Sequence, residues 1–501
     1  MSHLVILPVL LPLFAGILLL AVRHAALPLR RALSVTAMLA QLALALLLFI
    51  RVSGGEVLVY ALGDWPAPFG IVLVADRLAA WLLLITAALA FWVALDAARG
   101  EDARGRHFHV LLQWQVFGLA GAFLTGDLFN LFVFFEILLL ASYGLMLHGG
   151  GAWRTRAGLH YVVVNLLGST LFLFAVGTLY GVLGTLNMAD LAQKVAATPA
   201  ENVPLVRAAG LMLFGVFALK AALLPLYLWL PAAYAHTSAP VAALFAIMTK
   251  VGAYAILRVY SLIFGPGAGP LADLIEPWLM PLALATLALG MFGVLASRRL
   301  KQQVAYLVVA SAGTLLAAFA LNSVEGIAAG LYYLPHTTFA AAALFLLAEA
   351  IARRRGEVAD RLETGPKIAH ARVLGGLFFV AAVASAGLPP LSGFVGKFLL
   401  LRAALEHPAA AWVLGVVLAG GLAGVIALAR SGSLLFYRPV HALEAVAAPP
   451  ALAASLVPIA GLLLLGLGLT VWADPVLRAA QATATQLLQP YEYIHAVLGE
   501  H

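Results

Sequence analysis

Glu136, Lys220, Lys250, His336 and Lys397 each interrupt a long apolar run. If those runs lie in lipid, an ionisable side chain at the centre of one costs about 2.5–3.5 kcal/mol, which leucine would avoid. What these residue types share is a protonation state that can change. A lysine taken out of water can bind and release a proton near neutral pH, and a nearby carboxylate restores its charged form. A Glu–Lys pair of adjustable separation is therefore a protonation switch.

The local contexts differ. Glu136 ends the stretch Gly126-Asp127-Leu128-Phe129-Asn130-Leu131-Phe132-Val133-Phe134-Phe135-Glu136. Asp127 stands where a carboxylate suits the positive end of a helix dipole. Glu136 is roughly 13 Å deeper at 1.5 Å per residue, on one face with Phe132 and Tyr143. Lys220 precedes Pro225 and is too deep to snorkel. Lys250 sits in Met248-Thr249-Lys250-Val251-Gly252, with Tyr254 one turn on to continue a hydrogen-bonded path. Static ion pairing is the bland alternative for all three. Arg258 never deprotonates, so it reads as structural. His336 follows Pro335 and titrates near neutrality when unperturbed. Lys397 lies just past Pro389-Pro390, as Lys220 lies just before Pro225. His236 either gates an entrance or caps a helix.

The elements that carry these residues must be membrane helices. Of 501 residues 64% are hydrophobic and only 10% charged, against about 25% charged in a soluble chain. The absence of cysteine excludes disulfides, thiolate metal sites and cysteine nucleophiles. The net charge of +7 sits in short runs between apolar spans, which argues against nucleic acid. The runs are long and rich in Leu and Ala, without the alternation of a barrel. They predict an all-α polytopic membrane protein of about fourteen transmembrane helices: 4–22, 32–50, 78–97, 109–125, 128–147, 158–184, 205–231, 240–264, 275–296, 302–321, 326–351, 373–400, 411–437 and 452–473. No basic residue precedes the first span, which reads as a retained helix rather than a signal peptide.

Loops after odd-numbered spans hold nineteen of the 29 basic residues, from Arg23, Arg30 and Arg31 to Arg430 and Arg438; the opposite loops hold six. The positive-inside rule puts the odd loops in the cytoplasm and both termini outside. The seventh span is interrupted at Leu224-Pro225-Leu226 and at Pro231, the twelfth at Gly387-Leu388-Pro389-Pro390. Two broken helices five spans apart suit two inverted five-helix repeats, 109–264 and 275–437, within one integral membrane domain of 1–501 flanked by helices over 4–97 and 452–473. Proline breaks persist at such depth only where protein or a water-filled cavity satisfies the freed backbone groups. No phosphate loop, dinucleotide glycine pattern or metal-ligand spacing is visible.

The stretches GDLFNLFVFFE, LKAALLPLYLWLPAAY, SAPVAALFAIMTKVGAYAILRVY and AGLPPLSGFVGK resemble the antiporter-like subunits shared by Mrp cation/proton antiporters and respiratory complex I. Within that superfamily they are most similar to the D-type subunits of Mrp (Pha-type) complexes. The resemblance implies a hydrated polar axis formed by Glu136, Lys220, Lys250 and Lys397. Many relatives carry a lysine about five residues after the histidine of the eleventh helix; here that position is Ala341, so His336 would bridge the gap through water. The family implies a bacterial inner-membrane complex with an A-type large subunit, a second antiporter-like protein and small membrane chains. It exchanges cytoplasmic Na⁺ or K⁺ for external protons, without a covalent step or a cofactor. Two other readings stand beside it: a redox-driven proton-pumping subunit of complex I or a membrane-bound hydrogenase, and a scaffold whose buried charges only hold helices together.

Overall fold

The computed structural model describes residues 3–438 and 452–499. Its helices are α1 Leu7–Ala21, α2 Leu27–Val52, α3 Arg77–Ala97, α4 Phe108–Leu124, α5 Leu128–Leu147, α6 Ala152–Leu183, α7 Met188–Ala196, α8 Val203–Lys220, α9 Trp229–His236 and α10 Ala239–Phe245. They continue with α11 Met248–Leu262, α12 Glu276–Ala296, α13 Leu300–Phe319, α14 Val324–Ala352, α15 Ala371–Ala386, α16 Ser392–Ala404, α17 Ala410–Gly432, α18 Leu452–Val471, α19 Ala473–Leu488 and α20 Tyr491–Leu498. Between α2 and α3 lies an antiparallel hairpin, β1 Leu58–Ala61 with β2 Val72–Ala75, in the register Leu58 opposite Ala75.

Among the described residues, ten helical stretches are long and apolar enough to cross a membrane, or eleven if the α18–α19 pair, bent by 81°, counts as one. The chain is a multi-pass membrane protein. Where the sequence predicts fourteen spans, the segments 4–22, 109–125 and 373–400 yield shorter helices: α1 of 15 residues, α4 of 17, and α15 and α16 of 16 and 13. The segment 205–231 divides into α8 and α9, and 240–264 into α10 and α11. The second of these divisions has no proline at the break and was not expected. Nor were α7, α19, α20 and the hairpin, which are too short or too polar to register as apolar spans.

Local chemistry sets several boundaries. Asp76, Asp127, Asn187 and Ser323 cap the starts of α3, α5, α7 and α14, their side-chain oxygens accepting from backbone N–H groups of the first turn. For Asp127 this is the helix-start role its position suggests. A proline inside a helix leaves the carbonyl four residues back without its donor, and in two places a side chain supplies one. Pro12 in α1 frees the Pro8 carbonyl, which accepts from Gln41 Nε2 at 2.9 Å. Pro335 in α14 frees the Leu331 carbonyl, which accepts from Trp81 Nε1 at 3.2 Å.

Helices α10, α11, α13 and α14 form the centre, while α2, α6 and α17 are peripheral and offer most of their surface outward. At one end of the bundle the basic loops are tied to one another. Arg31 makes a bidentate pair with Asp102 at 2.7 and 2.8 Å, and His109 Nε2 lies 3.0 Å from the same carboxylate. Arg353 reaches Glu349 and Glu101, Lys301 reaches Glu349, and Arg299 reaches Asp360. These pairs join loops that the charge asymmetry places on one side.

Burial alone would push the Asp102 carboxyl up, but the hydrogen bonds from Arg31 and His109 outweigh it and hold the group well below the usual carboxylate range. A depressed carboxyl stabilises the fold fully above its unfolded pKa of about 4, and that contribution is lost only as pH falls below it. Asp102→Asn is expected to destabilise the solubilised protein at pH 7 by about 1–3 kcal/mol. Thermal unfolding of both forms checks this; their difference should shrink as the pH is lowered through the carboxylate range.

Candidate functional site

The five predicted residues fall on helices that pack in succession: α5 on α6, α6 on α8, α8 on α11, α11 on α13, α13 on α14 and α14 on α16. Glu136 is on α5, Lys220 ends α8, Lys250 is in the first turn of α11, His336 follows the proline of α14, and Lys397 is in α16. Among the described residues none of the five is ion-paired with another. Each is hydrogen-bonded to a neutral polar group instead.

Glu136 is half-buried and accepts a hydrogen bond from the Ser169 hydroxyl of α6. Lys220 is buried, and its Nζ donates to Asn165 Oδ1, also on α6, at 3.0 Å. The Glu136–Lys220 connection thus runs through two α6 side chains one turn apart. Lys250 is fully buried, and its nearest polar contact is Ser311 Oγ of α13 at 3.4 Å. His336 is buried with Nδ1 2.9 Å from Ser392 Oγ, at the start of α16. Lys397 donates to the Ala386 carbonyl at 2.8 Å, capping the last residue of α15 across the break.

The breaks are shaped by side chains from elsewhere in the fold. In the first, the Leu224 N–H donates to Thr286 Oγ1 of α12 at 2.8 Å, and Trp229 Nε1 donates to the Leu219 carbonyl at 3.1 Å. Close approach is equally specific. A Cβ on Gly252 of α11 would lie 2.3 Å from the Ala221 amide nitrogen, so only glycine lets α11 carry Lys250 against the end of α8. A Cβ on Gly393 would lie 2.1 Å from the Ala384 carbonyl and 2.7 Å from His336 Nε2. That contact seats α16 between α15 and the histidine.

The other predicted residues are placed differently. Tyr254, one turn from Lys250, donates its hydroxyl to the Phe123 carbonyl at 2.8 Å. His236, the last residue of α9, has Nδ1 2.8 Å from the Ala232 carbonyl and its ring stacked on Trp153. Its carbonyl accepts from Arg154 at 3.1 Å. Arg258 is structural, as its chemistry suggests: both terminal nitrogens meet the Asp76 carboxylate at 2.7 Å, and its guanidinium lies 5.1 Å from the ring centroid of Tyr493 and 5.7 Å from that of Tyr254. Among the described residues no group of three or more His, Cys, Asp or Glu is placed to hold a metal ion.

Sequence reasoning missed Asn165, Ser169, Ser311, Ser392 and Thr286. The signal was there in part, since Asn165 and Ser169 are polar residues at helical spacing within the apolar run of α6. Among the described residues, each of these ionisable groups is hydrogen-bonded to a neutral dipole and none is in direct contact with a counter-charge.

Both glycine contacts make a prediction. Gly252→Ala and Gly393→Ala are each expected to cost about 1–3 kcal/mol of stability through overpacking, measured by thermal unfolding in detergent. Gly415→Ala, where nothing lies within 4 Å of the added Cβ, should behave as wild type. Equal behaviour of all three would contradict the packing described.

A family model described as NADH:quinone oxidoreductase/Mrp antiporter, TM, matches residues 125–423, a range that contains all five residues. The chain is 41% identical to the D-type subunit of a probable K⁺/H⁺ antiporter from Rhizobium meliloti (strain 1021), over 100% of this chain and 98% of that protein. It is 37% identical to the D-type subunit of an Na⁺/H⁺ antiporter from Bacillus subtilis (strain 168), over the full length of both. Among solved structures, one polypeptide of the Mrp complex from Dietzia sp. DQ12-45-1b superposes with a TM-score of 0.89 at 30% identity, covering 100% of both sequences. With these matches over its whole length, the chain belongs to the NADH:quinone oxidoreductase/Mrp antiporter family, in its group of D-type antiporter subunits.

Proposed function

We propose that this chain is the D-type subunit of a multi-subunit monovalent cation/proton antiporter, and that it conducts protons along Glu136, Lys220, Lys250, His336 and Lys397. One observation carries the reading. Ionisable groups on α5, α8, α11, α14 and α16 occur on a succession of packed helices, each held by neutral dipoles, inside a multi-pass membrane protein. A scaffold would be cheaper with apolar side chains at these positions. Residues that change protonation state give a reason for the cost.

The rest of the reading follows from the family. The subunit works with an A-type large subunit, a further antiporter-like protein and small membrane chains, and moves protons against Na⁺ or K⁺ across the bacterial inner membrane. It is a secondary transporter component, not an enzyme. The chain crosses the membrane fourteen times, with its basic loops in the cytoplasm and both termini outside. Residues 109–264 and 275–437 form two five-helix repeats of opposite topology. A lysine beside each break supports that arrangement: Lys220 ends α8, and Lys397 caps α15. With Ala341 in place of a lysine, Ser392 keeps His336 oriented in the second half.

The test is cation-driven proton movement in everted vesicles carrying the whole complex, with assembly verified for each variant. Glu136→Gln, Lys220→Ala and Lys250→Ala are each expected to lower exchange more than about tenfold, or about 1.4 kcal/mol, with the complex intact. Unchanged exchange in assembled variants would leave the chain a scaffold. No cation-linked proton movement even in wild type would remove the antiporter reading.

A further inference from the structure

Helix α6 is peripheral, and its outward-facing hydroxyls bond within their own helix. Thr155 donates to Gly151, Thr170 to Leu166 and Thr178 to Phe174. Asn165 and Ser169 are different. Both are buried, one turn apart, on the face turned toward α5 and α8. The Asn165 amide is oriented by its own neighbour: Nδ2 donates to the Tyr161 carbonyl at 2.8 Å, which leaves Oδ1 to accept from Lys220 at 3.0 Å. The Ser169 hydroxyl lies within reach of both Glu136 Oε1 and the Asn165 carbonyl. It has one proton, so serving the carboxylate releases the carbonyl. That carbonyl is itself 3.5 Å from Lys220 Nζ. Between the two polar residues sits Gly168, where a Cβ would lie 2.5 Å from Leu219 Cδ2 and 3.8 Å from Lys220 Cε. A larger residue would crowd the Leu219 side chain that precedes the lysine.

We infer that Asn165 and Ser169 are positioning residues for the Glu136–Lys220 pair, with α6 holding the two charges apart through neutral side chains rather than letting them close into a direct ion pair. A closed pair at low dielectric would fix both protonation states. An amide oxygen and a hydroxyl orient the ammonium and the carboxylate without matching their charge, which leaves each able to exchange its proton. Among the described residues, Tyr143 of α5 faces Glu136 and packs its ring against Tyr161 of α6, and α11, which packs on α8, carries Lys250. Of these, Tyr161 is held by Ser142 at 2.8 Å.

The inference rests on the proposed proton path through Glu136 and Lys220, so Glu136→Gln is measured alongside. In everted vesicles carrying the whole assembled complex, Asn165→Leu is expected to lower exchange about tenfold, the worth of one hydrogen bond to a charged group, and to displace its pH profile. Ser169→Ala should displace the profile too, Ser169→Thr should restore it, and Thr170→Val on the outer face should match wild type. If Asn165→Leu fails to assemble, the two Ser169 variants decide. Wild-type rates and pH profiles in assembled Asn165→Leu and Ser169→Ala, with Glu136→Gln inactive, would overturn the role of α6 and leave the proton path standing. An active Glu136→Gln would overturn both.

Discussion

In the hydrocarbon core of a bilayer a freed backbone N–H or carbonyl has no water to turn to, and each one left unpaired costs several kcal/mol. The design of this protein follows from that constraint. Prolines open the helical ladder at several depths, and side chains from other helices answer them. Gln41 reaches back to α1, Trp81 to α14, Thr286 and Trp229 to the first break, and Lys397 to the second. A break of this kind is stable only inside the assembled bundle. The helices that carry the ionisable groups are therefore shaped by neighbours distant in sequence.

The same bundle buries charge in two distinct ways. Asp76 and Arg258 neutralise one another in a bidentate pair, with two tyrosine rings near the guanidinium. Such a pair ties α3 to α11, and breaking it would strand a charge. Among the described residues, Glu136, Lys220, Lys250, His336 and Lys397 have no such counter-charge in direct contact. They are held by a serine, an asparagine, two further serines and a backbone carbonyl. Matched charge makes a strut; charge held by neutral dipoles carries no such tie. Lys397 does both, since the amine proposed to carry a proton also caps the carbonyl that the second break exposes.

Several features of the site are visible in composition and spacing because they violate the economy of a membrane helix. Five ionisable residues in apolar runs, an arginine whose charge cannot change, and proline–glycine clusters in two segments are each costly alone, so each marks its position without knowledge of neighbours. Asp127 is legible for the opposite reason, since a helix start favours a carboxylate locally. Tyr254 shows the limit. It lies one turn from Lys250 along its own helix, and its hydroxyl reaches the Phe123 carbonyl on a different helix. Periodicity along one helix says which face a residue shares, and nothing of what that face meets.

The order of residues thus determined the solvent, the helical class and the ionisable groups set within apolar runs, because each depends on a residue and its near neighbours in the chain. Tertiary structure alone decided that Asn165 and Ser169 stand between Glu136 and Lys220, that Ser311 and Ser392 hold Lys250 and His336, and that Asp76 answers Arg258. It also decided that α18 turns by 81° into α19, and that a glycine and not an alanine is needed at positions 252 and 393. Most of these share one cause. Serine and glycine cost little in a membrane helix, and a polar residue such as Asn165 marks only its own position, so the partner stays unnamed until packing brings it within hydrogen-bonding or van der Waals reach.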